Sequence, residues 1–266
     1  MLDTHNKQRT AACVEYCGVN YHGWQRQKNA NTVQEEVEKA ISKVANEPIS
    51  IITAGRTDTG VHGIGQVIHF DSHCHRTNHQ WIRGVNTYLP NDISLIWTHP
   101  VADHFHARFS AQERRYRYIL LNRPTSPSFL HGRVSWHPVK LDEKAMQLAA
   151  EGLIGRHDFS AFRAAGCQSK DPVKTVRELR IERHGQWICL DIAADGFLHH
   201  MVRNIAGVLI RIGQGLESPQ WATQVLRSAD RKQGGVTAMP DGLYFVQVDY
   251  DDAYRLPNPP PVCEFW

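Results

Sequence analysis

Asp58 is the residue of this chain best placed to do chemistry. It sits in Gly55-Arg56-Thr57-Asp58-Thr59-Gly60-Val61-His62-Gly63, between an arginine and a glycine-hinged turn. Ile49 to Thr53 reads as a strand before it, and Gln66 to Phe70 alternates apolar and polar side chains as a strand after it. The glycines let the backbone turn tightly and approach a ligand closely. Asp and Gly also make plain hairpin turns, in which Asp58 would only bond neighbouring amides. A carboxylate held ionised by a nearby cation suits attack or proton removal at a sugar better than acid donation.

Two further features could serve that carboxylate. In Arg114-Arg115-Tyr116-Arg117-Tyr118, strand alternation puts Arg114, Tyr116 and Tyr118 on one face, and Arg115 and Arg117 on the other. Tyrosine faces stack on unpaired bases for about 1–3 kcal/mol per base. Tyr118 also suits a core position; Tyr116, between two arginines, suits one less. Arg203 lies in an expected helix with the stripe Met201, Ile205, Val208 and Ile212, on the opposite side near Ala206 and Ile210. A partly buried guanidinium needs a carboxylate, and Asp58 is an attractive partner; a surface arginine reaching past Ile210 is the alternative. Between Val101 and Ser135, arginines 108, 114, 115, 117, 123 and 133 face only Asp103 and Glu113, a local excess larger than the whole chain's +3. Such a stripe fits nucleic acid or a solvated strand face.

The elements that must position these residues can be read from period and punctuation. Ala11 to Tyr16 is a first strand. A helix starts near Thr32 with Glu35 as a capping box, carries Val33, Val37, Ile41 and Val44 on one stripe, and ends at Asn46 to Pro48. Asn78 to Leu89 is a second helix stopped by Pro90, Ile93 to Trp97 a strand, and Arg114 to Leu121 another. Glu143 to Ile154 is helical, with Ala145, Leu148, Ala149 and Leu153 along one side. Strands at Val176 to Ile181 and Trp187 to Ile192 precede helices at Phe197 to Ile212 and Trp221 to Arg227, and Leu243 to Val248 is a last strand. Short turns between strands favour an antiparallel or mixed α+β sheet over a doubly wound parallel one. Pro257 to Pro261 reads as extended surface chain.

Composition narrows the classes. With 266 residues, 41% hydrophobic and 21% charged, the chain has the make-up of a globule with a real core. The first ten residues lack the apolar run of a signal peptide, and no segment is apolar for long enough to span a bilayer, so a cytoplasmic protein is expected. Six scattered cysteines with no C-x-x-C favour free thiols over a structural metal, and none of the sixteen histidines falls in a zinc-hydrolase or deaminase pattern. A phosphate loop and a nucleophile elbow are both missing. The glycines of 60–65 do not make a dinucleotide loop, because a strand follows where a helix is needed.

Taken together, the blocks resemble the bacterial tRNA pseudouridine synthase A family. They are the Asp58 segment, Gly23-Trp24-Gln25-Arg26-Gln27, Phe105 to Ala111, Arg115 to Tyr118, His157 to Arg163, Met201-Val202-Arg203-Asn204 and Gly242-Leu243-Tyr244, in the family's order over nearly the whole chain. The resemblance implies an α+β fold of two similar subdomains, 1–110 and 111–266, sharing a long, mostly antiparallel sheet with the active-site cleft between them. It implies an isomerase that converts uridine to pseudouridine in the tRNA anticodon stem-loop (positions 38 to 40), acting as a homodimer without metal or organic cofactor. By position Asp58 matches the catalytic aspartate, Tyr116 the tyrosine packed on the target base, Arg203 the basic partner of the aspartate, and Arg56 the arginine beside the flipped nucleotide. Cys17 stands where the family usually has aspartate, and Thr59 and Gly63 where alanine is frequent.

Overall fold

A computed structural model describes residues 7–169, 171–257 and 263–264. The fold is α+β, with ten strands and five α-helices among the described residues. The chain divides into two compact units, Met1–Gln112 with Phe245–Cys263 and Glu113–Tyr244 with Glu264–Trp266. No described helix is long and apolar enough to cross a membrane. Of the proline-rich tail, 258–261 lies outside the described residues.

In the first unit, β1 (Gln8–Tyr16) pairs antiparallel with β3 (His62–Ser72) on one side and β4 (Ile93–Pro100) on the other. The short β2 (Ile52–Thr53) adds to β3, and β10 (Leu243–Asp249) neighbours β3 through its part in this unit. Alternation sends Ala12, Val14, Tyr16, Ile68, Phe70 and Leu95 to one sheet face. There they meet Val33, Val37 and Ile41 of α1 (Val33–Ala45) and Trp81 and Val85 of α2 (Asn78–Tyr88). Val44 is partly buried against the same core, so the expected stripe is the one used.

Two local expectations are corrected here. Thr32 occupies the N-cap of α1, but its hydroxyl caps nothing and has no partner among the described residues. The first helical amides are taken instead by loop carbonyls, Val33 N by Gly23 O (3.3 Å) and Gln34 N by Trp24 O (3.0 Å), while Glu35 pairs outward with Lys39. The capping box belongs to α2, between Thr77 and Gln80. The strand expected over 49–53 shrinks to two residues because Ile49 N bonds Ser42 Oγ and Ile51 N bonds the buried Glu38.

In the second unit, β5 (Glu113–Asn122) pairs antiparallel with β9 (Trp187–Ala194), which pairs with β8 (Val173–His184), which pairs with β7 (Gly155–Asp158). β6 (Ser135–His137) lies parallel to β5. The helices are α3 (Glu143–Glu151), α4 (Met201–Gly213) and α5 (Trp221–Ser228). α3 is shorter than expected and buries Met146, Ala149 and Ala150, whereas Leu148 is exposed: the face is rotated toward α4. α4 starts at Met201 rather than Phe197, because His200 takes a left-handed conformation (φ 60°) that ends the preceding loop.

Candidate active site

The first unit builds the Asp58 turn. Val61 N donates to Asp58 O (3.2 Å), and Gly60 has φ +80°, the positive angle that a type II turn requires at its third position. Thr57 anchors the turn from one side: its hydroxyl shares a 2.8 Å hydrogen bond with the Tyr16 hydroxyl, and its carbonyl accepts from Trp24 N (3.0 Å). The buried Gln66 side chain anchors the other side by donating to Gly55 O (2.7 Å). Two close approaches demand glycine. A Cβ at Gly23, itself at φ +87°, would stand 2.7 Å from Thr57 O, and one at Gly18 would stand 2.0 Å from Val61 O. Thr57 is buried, Asp58 half-buried and Arg56 exposed, so the turn rests on a seat of buried side chains.

The seat also explains one departure from the family pattern. The Tyr16 ring lies against Gly63, where a Cβ would come within 2.4 Å of it, and it meets Trp24 at 5.5 Å between centroids. Burial pushes the Tyr16 phenol well above its usual range, with the Asp58 charge adding to the shift, so this hydroxyl stays protonated. Cys17 is used through its backbone, its N–H donating to Asp92 O at 2.9 Å. Thr59 is exposed. The described cysteines are all free thiols, and burial pushes Cys13 up to about 12.

The second unit carries Tyr116 and Arg203. Tyr116 sits opposite Ile192 in the β5–β9 ladder, is 8% exposed, and meets Phe197 edge-on at 5.0 Å. Tyr118, two residues on along the same face, is structural: its hydroxyl is 2.6 Å from Ser135 Oγ and 3.1 Å from Met239 O. Arg203 is half-buried, as is Ile210, whereas Ala206, expected beside it, is buried; the Arg203 Nε donates to Ala238 O at 2.8 Å. Ala238 N donates back to Arg203 O, so the 238–239 segment ties α4 to the tyrosine strand. Asn204 anchors the helix start, donating to Phe162 O while its oxygen accepts from Arg231 and Thr237. Arg56 and Asp58 thus belong to one loop of the first unit, and Tyr116 and Arg203 lie on β5 and α4 of the second.

The arginine stripe differs from its sequence reading. Arg117 forms a two-pronged pair with Asp191 of β9 (2.7 and 2.8 Å), and its side chain is 12% exposed. Arg115 pairs with Glu113 (2.5 Å) and Glu178 (2.8 Å), and Arg114 donates to Asp195 O. These three of the six stripe arginines help to hold the sheet. Sequence reasoning also passed over Tyr16, Thr57 and Gln66, the supports of the turn. Their only signal is the period-two pattern placing Tyr16 and Gln66 at strand positions beside it.

The model of the tRNA pseudouridine synthase family matches residues 12–110 and 149–251. A tRNA pseudouridine synthase A from Nitrosococcus oceani is 52% identical, over 94% of this chain and 96% of its own. Proteins of that name from Coxiella burnetii (51%, over 95% and 97%) and Vibrio campbellii (50%, over 95% and 96%) are similar to nearly the same extent. Spanned by that family model and about half identical to these relatives along almost their whole length, the chain belongs to the tRNA pseudouridine synthase family.

Proposed function

We propose that this protein isomerises uridine to pseudouridine in the anticodon stem-loop of tRNA, at positions 38 to 40, with Asp58 as the reacting carboxylate. The observation that carries the reading is the Asp58 turn, a half-buried carboxylate on a loop fixed by Thr57 and Gln66 in a chain of this family. In the net reaction the N1–C1′ bond breaks, a C5–C1′ bond forms, and the proton leaving C5 is balanced by one gained at N1. No oxidant, metal or organic group is needed for that exchange. Asp58 can enter it by attack at C1′, by attack on the pyrimidine ring, or by removing the C2′ proton.

Such chemistry requires a nucleotide out of its stack. We assign Arg56 to the side of the extruded nucleotide and Tyr116 to the base after it detaches. To Arg203 we assign the role of the cation that keeps the Asp58 carboxylate ionised. The same reading takes the enzyme as a cytoplasmic homodimer with the tRNA touching both copies. Its test is incubation with unmodified tRNA transcript without added cofactor, then carbodiimide labelling and primer extension. New stops in the anticodon arm that vanish in Asp58→Ala are expected. Stops elsewhere, or none despite tight binding, would replace the reading with a different target or a binding protein.

A further inference from the structure

Arg108 and Phe109, in the segment 105–110 of the first unit, form a second exposed feature, well away from the Asp58 turn along the chain. Ala107 N donates to Nδ1 of the buried His69 at 3.0 Å, which fastens this segment beside β3. His69 lies seven residues beyond His62, the end of β3 that carries Asp58, or about 20 Å along a strand. The segment is a closed turn: His106 N donates to Ser110 Oγ (3.0 Å) and Ser110 N to His106 O (2.9 Å). His106 Nδ1 accepts from both Arg108 N (3.2 Å) and Phe109 N (3.1 Å).

That turn holds up an aromatic ring. Phe109 is 76% exposed, yet its ring stacks on His106 at 4.3 Å and 30°, and the Arg108 guanidinium lies 5.6 Å from its centroid. A single exposed apolar side chain is ordinary. A ring already backed by an imidazole and flanked by a cation is different, because less ordering remains to be done when a flat partner arrives. Burial, and then the nearby Arg9 charge, keep the His106 imidazole below its usual range, so it supports the turn as a neutral acceptor.

We propose that Phe109, backed by His106 and flanked by Arg108, is a stacking platform for one unpaired base of the RNA substrate, remote from the target uridine. The inference rests on the tRNA reading given above. Aromatic faces accept any base, and an adjacent arginine attracts the neighbouring phosphate, so the platform adds affinity without choosing sequence.

The test uses the full-length protein and unmodified tRNA transcript, with wild-type turnover and binding measured first. Wild-type protein that neither binds nor modifies the RNA overturns the tRNA reading itself, before any variant is compared. Given an active wild type, Phe109→Ala should raise both KM and Kd roughly 5- to 100-fold, keep kcat at saturating RNA, and keep Tm. Phe109→Tyr should restore binding to near the wild-type level. Unchanged KM and Kd in Phe109→Ala would overturn the platform, as would a loss of kcat alone or failure of tyrosine to rescue. A change in oligomeric state on size-exclusion chromatography would also overturn it, assigning the ring to contact with a second copy.

Discussion

The Asp58 turn and the arginine-rich strand β5 are both conspicuous in the sequence, and the fold treats them in opposite ways. The turn is held by backbone and buried polar groups: Thr57 O, Trp24 N, Gly55 O and the Gln66 amide. Its one carboxylate is half-buried. On β5 the charged side chains are themselves the fasteners, with Arg117 on Asp191 and Arg115 on Glu113 and Glu178. The two regions differ in whether the backbone or the charged side chains carry the structural burden. Counting charges along a strand cannot reveal this in full, because two of the neutralising carboxylates, Glu178 and Asp191, lie 63 and 74 residues away in sequence.

The comparison can be broken most severely at Gly23. A methyl there meets Thr57 O at 2.7 Å in a backbone conformation that only glycine adopts freely. Gly23→Ala should cost about 2–4 kcal/mol and at least a hundredfold in activity. Gly166→Ala in the second unit, at φ +77° with open space around it, should cost only about 1 kcal/mol and little activity. Denaturation curves and turnover on both variants decide this; equal behaviour would remove the special role of the seat.

On β5 the contrast is between fastening and phosphate binding. Asp191→Asn should lower stability by about 1–3 kcal/mol, since it leaves a mostly buried arginine without its anion. Arg117→Gln should leave the slope of log Kd against log salt unchanged. A phosphate contact would reduce that slope by about 0.9, returning the stripe to its original reading.

Acid should loosen the first unit through His69. Burial first, then Arg9, lowers its folded pKa to about 4. The unfolded chain binds the proton below about pH 6.5, so stability is full above that pH and falls as pH drops toward 4. On the order of 2 kcal/mol should be lost by pH 5, measured by urea titration. His69→Asn, which retains an acceptor for Ala107 N, should flatten that pH dependence. The mildest change is Tyr16→Phe, which removes the hydroxyl from Thr57 and should cost about 1 kcal/mol. A several-fold fall in kcat at unchanged KM would mark Tyr16 as a positioning residue; no change in kcat would make it only a core tyrosine.

Much of this fold is legible because it obeys simple periods. The α1 stripe, the stop at Asn46 (φ 56°) and the antiparallel strands follow from spacing and turn residues alone. β6 and β7 escape because three or four residues are too few to show a period. Thr32 misleads because the Gly23 and Trp24 carbonyls, eight to ten residues earlier, reach the helix amides first. The start of α4 is hidden because nothing in Phe197 to His200 announces a left-handed histidine. In the candidate site, the residues facing outward have motif signals, while Tyr16, Thr57 and Gln66 act through contacts that only the folded chain makes.

The central claim is that the Asp58 carboxylate, rather than RNA binding alone, performs the isomerisation. The most direct measurement is the single-turnover rate of Asp58→Asn on tRNA at saturating enzyme, with Kd determined in parallel. The account predicts a rate at least a thousandfold lower with Kd within a few-fold of wild type, since phosphate contacts supply most of the affinity. A rate near wild type would contradict it, and a rate loss explained entirely by weaker binding would contradict it equally.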